Sequence, residues 1–445
     1  MPQASPTPHP SEHPIDTGAP GASQSTPRTK AAAGAGQTRP SDMTRPAAAA
    51  RSHGDASIIW SDIELEVFDD LNRIEQDWQA FEHSADCTVF QTFDWLDKWQ
   101  QHIGARNGTV PAIVLGRDAD GHLLFIFQFA IEGGGSVRRL TWLGSELCDY
   151  NAPLLAEDFS QRLEAVPFVA LWRKIIHLLR LQPRFQFDLI DLQKMPETIG
   201  AQRNPFLHLA TQPHPSGAHI ATLTGDWEQF YMAKRSASTR KRERRQLKHL
   251  AEHGEVRFID VQDRDDIART LDQLIAQKSR AFARMGVEDI FARPGYREFF
   301  LDIATDHNVG ALTHVSRLDV GKTSAAANLG LTFRDSYYLV LSSYHDGELS
   351  RFGPGRAHLH ELLRHAIDRG FARFDFTVGD ESYKRDWSDT ELQLHDYLAA
   401  ETAKGWLVVA MTRAYRRTKR FIKQTPVLWH VFSKLRAQLR GLGLR

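Results

Sequence analysis

The stretch from Tyr337 to Lys384, YYLVLSSYHDGELSRFGPGRAHLHELLRHAIDRGFARFDFTVGDESYK, limits the fold more than any other part of this chain. An apolar strand runs into a Gly-Pro-Gly turn, then an amphipathic helix, then a second apolar strand. A strand that stops at a glycine turn opening a helix leaves first-turn N–H groups unpaired, and the helix dipole adds partial positive charge there. Such a turn attracts anions. Gly353 and Gly355 let a ligand approach the backbone closely, and Arg351 and Arg356 bracket the turn with charge suited to a diphosphate. An ordinary strand–turn–helix connection with solvated arginines fits the same residues.

The rest of the chain reads as two α/β halves. With 445 residues, ten tryptophans and twenty-five phenylalanines it can fill two cores. Residues 1–56 are rich in Pro, Ala, Ser, Thr and Gly, bury too little apolar surface to offset their ordering entropy, and are expected to be a disordered tail. From about Ile58 the pattern gives a strand, helices through Trp78 and Phe81 and through Phe93, Leu96 and Trp99, and a two-strand unit turning at Asp120-Gly121. A strand at LTWL, a polar loop at Cys148–Asn151, an amphipathic helix LWRKIIHLLRL and a strand FQFDLIDL follow, which places a first module at 57–200. Residues 201–219, with three prolines and three histidines, read as a linker, and 220–400 as a second module. This second module holds a helix near Trp227, long helices from about Asp263 and Gly295, and a hairpin turning at Gly321.

Charge is balanced overall, with fifty-five basic and fifty-five acidic residues, but it is unevenly placed. Residues 234–248 carry eight Lys/Arg against Glu243, in a helix that Ser236 or Ser238 could cap. A solvated charged helix, a docking surface for a phosphate-bearing substrate and a nucleic-acid contact all fit this run, although the interleaved aromatics of a single-strand platform are missing. After Glu401 the chain has eleven Lys/Arg and no acid, alternating with Trp406, Leu407, Tyr415, Phe421, Trp429, Phe432 and Leu435. That segment, 401–445, is expected to form basic amphipathic helices that suit an anionic membrane surface or an acidic patch on the protein itself. Two cysteines, Cys87 and Cys148, give neither a disulfide framework nor a zinc spacing, so no metal is expected and a reducing cytoplasm is the default location. The chain shows no secretory pattern and no long apolar run. Gly321-Lys322-Thr323 sits in a strand–turn–strand context that disfavours a nucleotide loop, and His360 and His365 are five apart, too far round one helix to share a zinc.

In order along the chain, KRSASTRKRERRQLKHL, GKTSAAANLGLTF, YYLVLSSYHDGELSRFGPG and FARFDFTVGDESYKRDW resemble the BioF2-like or CelD-like acetyltransferases of the GNAT superfamily, relatives of the FemAB peptidyltransferases. The resemblance spans roughly residues 225–390, and FQTFDWLDKW with LTWLGSELCDYNAPLL resembles the family's degenerate first half. It implies an α/β fold of mixed sheets in two tandem GNAT-like modules, with acetyl-CoA or another acyl-CoA as donor at the second. The superfamily's phosphate signature, Arg/Gln-x-x-Gly-x-Gly/Ala, aligned on Gly355 and Ala357, puts Phe352 where Arg or Gln stands.

The resemblance further implies that the strand holding Ser342 and Tyr344 splays from FARFDFTV, that main-chain amides there hold the thioester oxygen, and that the diphosphate meets Arg351, Gly353, Gly355 and Arg356. Asp375, Glu381 and His345 are candidates to take the proton of an attacking amine, and Tyr383 and Lys384 resemble the family's Tyr-Lys pair. Trp387 shares a helix face with Lys384, as a substrate contact or as packing. Asp149, Tyr150 and Asn151 resemble the polar loop of the first half and are expected to face the acceptor across the cleft, unless they form an Asx-turn. The acceptor would be an amine or hydroxyl of a small molecule or of an envelope or glycan precursor. Two rivals remain: an aminoacyl-tRNA donor, as in FemAB-like enzymes, and a non-catalytic binding protein on the same fold. The enzyme is expected in the cytoplasm, where its basic C-terminal segment allows peripheral contact with the inner membrane face.

Overall fold

Apolar runs on either side of Asp118 become the strands Val110–Arg117 and Leu123–Glu132, and the Asp118 carboxylate accepts the N–H groups of Asp120 and His122 to shape the turn between them. A computed structural model of the chain describes residues 63–133, 135–162, 168–306 and 312–424. The tail expected at 1–56 and the basic segment from 425 onward lie outside these described residues. Along Leu123–Glu132 the side chains alternate between two cores. Phe125, Phe127 and Phe129 pack with Trp142 and with the helix Phe168–Arg180, while Ile126 and Ala130 pack with Trp95, Leu96 and Trp99. The sheet extends to Glu64–Phe68 on one side and through Arg139–Trp142 to Leu189–Pro196 on the other.

The second sheet runs Val256–Asp260, Thr313–Val320, Thr323–Phe333, Ser336–Tyr344, Arg373–Val378, Ala218–Thr222, Thr390–Leu392. Its one parallel pair, Ser336–Tyr344 with Arg373–Val378, requires a crossover, which the helix Pro354–Asp368 provides. The hairpin at Gly321 forms as its sequence predicts, with that residue at φ +59°, a conformation glycine adopts without steric cost. Helix Pro354–Asp368 covers one sheet face together with Trp227–Lys234. The other face meets Arg264–Met285 and Tyr296–Thr305 and continues into the first module. Trp95 meets Phe299 edge-on at 4.9 Å, and Phe90 meets Tyr338 at 6.0 Å. One apolar core therefore spans both modules.

Two expected boundaries change. The strand Leu394–Ala400, placed in the second module by sequence, crosses over and pairs antiparallel with Leu189–Pro196 in the first sheet. The stretch 201–219 is structure rather than linker. Asn204 accepts the N–H of Phe206 and caps the short turn Pro205–His208, which drives the buried Phe206 ring in among Phe127, Phe129, Trp142, Phe168 and Trp172. Among the described residues no helix is long and apolar enough to cross a membrane.

Candidate acyl-transfer site

The site grows from the point where the two parallel strands part. Ser336, Tyr337 and Tyr338 pair with Arg373, Phe374 and Asp375, and pairing stops there. Val340 is an extra residue opposite the Leu329–Gly330 step, so Leu339 packs toward helix Pro354–Asp368 while Leu341 packs toward the first module. Beyond the bulge Ser342 and Tyr344 face outward, and the Gly-Pro-Gly turn rises beside them. Between strand, turn and the helix Ser382–Trp387 lies a cavity of about 400 Å³. Its wall carries Ser342, Tyr344, Gly353, Gly355, Arg356 and Tyr383, all expected from sequence, with Trp387 at its floor.

The turn's glycines have separate reasons. Gly353 stands at φ +69° and serves as N-cap without a side-chain bond, whereas a Cβ on Gly355 would come within 3.1 Å of the Tyr344 ring. Gly353→Ala is expected to cost about 1 kcal/mol of stability through its positive φ alone, read from urea unfolding. The anion cradle is narrower than sequence implied. Pro354 has no N–H, and the amides of Arg356 and Ala357 both turn back to the Gly353 carbonyl at 3.1 Å. Side-chain charge makes up the difference: Arg235 and Arg242, from the loop and helix of the basic run, stand on the same wall as Arg356. Arg351 does not. Its guanidinium lies over the Phe352 ring at 4.8 Å, off the wall. Ser350, Gly353 and Gly355 all line the cavity, whereas Phe352 and Ala357 do not.

Arg235 is held rigidly. Glu243 takes its guanidinium at 2.7 Å and Asp386 at 3.1 Å, Glu243 also accepts the Tyr231 hydroxyl at 2.7 Å, and the cation sits 5.0 Å over the Trp387 ring. Ser236 rather than Ser238 caps the helix that follows, accepting from the Thr239 N–H. Trp387 is buried against Trp227, Phe230 and Tyr231, so most of its surface is core. The Tyr-Lys pair divides. Tyr383 reaches the cavity, and burial raises its hydroxyl pKa, whereas Lys384 turns inward and donates to the Val378 carbonyl at 2.7 Å with Glu381 at 3.3 Å. Neighbours on a helix point about 100° apart, and here that difference sends one side chain to the cavity and the other into the protein.

Strand alternation puts a second polar group on the opposite face. Phe374 and Phe376 pack under helix Pro354–Asp368, so Asp375 and Thr377 look toward the first module. The Asp375 carboxylate accepts the Tyr150 hydroxyl and the Thr377 N–H, both at 2.7 Å, and burial pushes its pKa up to about 7. Thr377 is held there at φ +59°, a strained conformation for a β-branched residue, in a β-bulge opposite Ala218–Ile220. The Asp149 pKa is raised by burial, with Lys194, the Thr377 side chain, Lys384 and Lys278 opposing the rise. Burial lowers the Lys278 pKa in turn. Asn151 departs from expectation: it is buried, and its amide is spent on the Gln193 carbonyl at 3.0 Å. His345 lies in the turn that follows the strand, where its Nδ1 accepts the Gly347 N–H. His360 and His365 diverge as their spacing predicts, the first onto Trp387 and the second stacked on His314.

Among the residues of this arrangement that the sequence did not mark as site residues are Arg235, Arg242, Lys278 and Thr377. Arg235 and Arg242 carried a signal in the basic run, Lys278 lay unmarked in a long helix, and nothing in the sequence marks the backbone of Thr377.

Residues 237–385 match the family model described as an acetyltransferase (GNAT) domain. Among solved structures, the chain is similar to FemX at 10% identity with a TM-score of 0.49, covering 74% of this chain and 94% of that one. It is similar to L-PGS from Bacillus licheniformis at 10% identity, TM-score 0.45, covering 75% and 95%. It is also similar to a tandem GNAT protein from the clavulanic acid biosynthesis pathway at 11% identity, TM-score 0.40, covering 76% and 99%. No curated protein matches the chain.

Proposed function

From the GNAT-type acetyltransferase domain at residues 237–385, we propose that this protein transfers an acyl group from an acyl-CoA to an amine or hydroxyl acceptor, as the BioF2-like and CelD-like enzymes that its motifs resemble do. The observation that carries this reading is the cavity at the parting strands, with the glycine turn and the cations of Arg235, Arg242 and Arg356 on one wall. A diphosphate meets the turn, and the pantetheine arm lies along the unpaired edge beyond Tyr338. The thioester then reaches the apex, next to Asp375 across the sheet. A neutral amine attacks the carbonyl carbon there, its proton passes to the Asp375 carboxylate directly or through a water, and the C–S bond breaks to release the CoA thiolate. Tyr150 acts through Asp375 as a positioning residue, delivered by the first module to the apex of the second.

Acetyl-CoA at about a hundred times its dissociation constant should stabilise the fold by about 2.7 kcal/mol, a shift of several degrees in melting temperature. Gly355→Trp, which fills the turn against Tyr344, should abolish that shift. Arg242→Glu, an exposed change on the wall, should at least halve it without altering the unliganded protein. If no acyl-CoA moves the melting temperature of folded protein, the reading is wrong.

One observation favours an aminoacyl-tRNA donor instead: Lys241, Arg244, Arg245 and Lys248 stand exposed on the helix that sends Arg242 to the cavity. A salt-sensitive stabilisation by tRNA, with none by any acyl-CoA, would decide for it.

A further inference from the structure

The helix Ala403–Gln424 is fixed to the first sheet along one seam. A Cβ on Gly405 would lie 1.8 Å from the Asp188 carbonyl oxygen, Val409 is buried with Leu189 and Leu398, and Arg413 donates to the Leu398 carbonyl at 2.8 Å. These three residues are four apart, so they lie on one face. Thr402 locks the start of the helix, its hydroxyl donating to the Asp188 carboxylate at 2.7 Å and accepting the Gly405 N–H at 3.2 Å. With the seam pinned, the turn of the helix sends Trp406, Leu407 and Met411 outward, where they are 66%, 57% and 64% exposed. Ala410, between them, is exposed as well. A solvated helix carries polar residues on its outer face, and this one carries large apolar side chains.

Charge identifies what covers that face. From Thr402 to Arg445 the sequence has eleven Lys/Arg and no Asp or Glu, and Arg413, Arg416, Arg417, Lys419, Arg420 and Lys423 fall within this helix. A second copy seated on the face about a two-fold axis would bring the same unbalanced cations together. An anionic lipid surface offers apolar depth for tryptophan, leucine and methionine, with phosphates for the cations of the same segment. We propose that the face of Trp406, Leu407 and Met411 docks this protein peripherally on an anionic lipid membrane. The proposal is independent of the donor and the chemistry.

The test is co-sedimentation of the full chain with phosphatidylglycerol/phosphatidylcholine vesicles and with phosphatidylcholine vesicles alone. The bound fraction is expected to fall about tenfold or more when the anionic lipid is removed, and similarly when salt is raised to about 0.5 M. The triple variant Trp406→Ser, Leu407→Ser, Met411→Ser should lose vesicle binding by a similar factor while its melting temperature stays that of the wild type. Three results would overturn the proposal. Folded wild type could remain in the supernatant, the triple variant could pellet as well as wild type, or light scattering could find a wild-type dimer that the triple variant dissolves.

Discussion

Replacing Asp375 by Asn is expected to lower kcat/KM for acyl transfer by about 10² to 10⁴-fold while leaving the acyl-CoA-induced melting shift in place. The reasoning starts from position. Asp375 is opposite Tyr338 in the last pair before the strands part, on the face turned toward the first module, and away from the cavity wall where the donor phosphates would lie. Asparagine keeps an oxygen to accept the Tyr150 hydroxyl and the Thr377 N–H, so the fold should survive and donor binding should be untouched. What it loses is the capacity to take a proton. Because burial raises the carboxyl to about 7, the wild-type rate should climb with pH through that value and level off above it, and the Asn variant should lack that limb.

Stability runs in the opposite sense. The folded carboxyl keeps its proton up to about 7, well above its ordinary value of 3.8. Its contribution is therefore complete below about pH 4, and it is lost as the pH rises from there to about 7. The variant should not show that fall. Tyr150→Phe, which removes one bond to the carboxylate and leaves the acid, should shift the pH midpoint upward with a smaller loss of rate. An Asn variant within about threefold of wild type at every pH would leave Asp375 a purely structural residue.

The parts of this molecule legible in its sequence are those fixed locally. The hairpin at Gly321, the strand–turn–helix through Gly353, the helix start at Asp263 and a serine cap at 236 or 238 depend on turn chemistry and helix ends, and each forms where its residues indicate. The parting of the strands entered through a resemblance, and its site follows from the bulge at Val340. What stayed hidden depends on partners distant in the chain. Leu394–Ala400 has the alternation of any half-buried strand, and nothing local tells it to join Leu189–Pro196 instead of its own module. Phe206 sits among prolines that read as linker, yet one aromatic ring with buried neighbours outweighs that composition. Lys384 entered through the resemblance to a Tyr-Lys pair, and Arg351 through its place beside the glycine turn. One turns inward to the Val378 carbonyl and the other onto a neighbouring ring.

Trp387→Ala is the second large effect, expected to cost about 3 to 5 kcal/mol in urea unfolding, as for other buried large-to-small changes. The ring is 2% exposed and stacks near Phe230 at 6.0 Å and 10°, with Trp227 and Tyr231 close behind. Deleting it opens a void that helix Trp227–Lys234 and the strand below are too rigid to fill. The loss should reach the site through Arg235. Its guanidinium rests 5.0 Å above the ring, and without that support it is held by Glu243 and Asp386 alone. Acyl-CoA affinity should therefore fall in the alanine variant and recover in Trp387→Phe, which restores a ring face for the cation but only part of the volume. A core role without a link to the donor predicts a different split: both variants would lose stability in proportion to the volume removed, and neither would change the acyl-CoA dissociation constant measured by calorimetry below their unfolding temperatures.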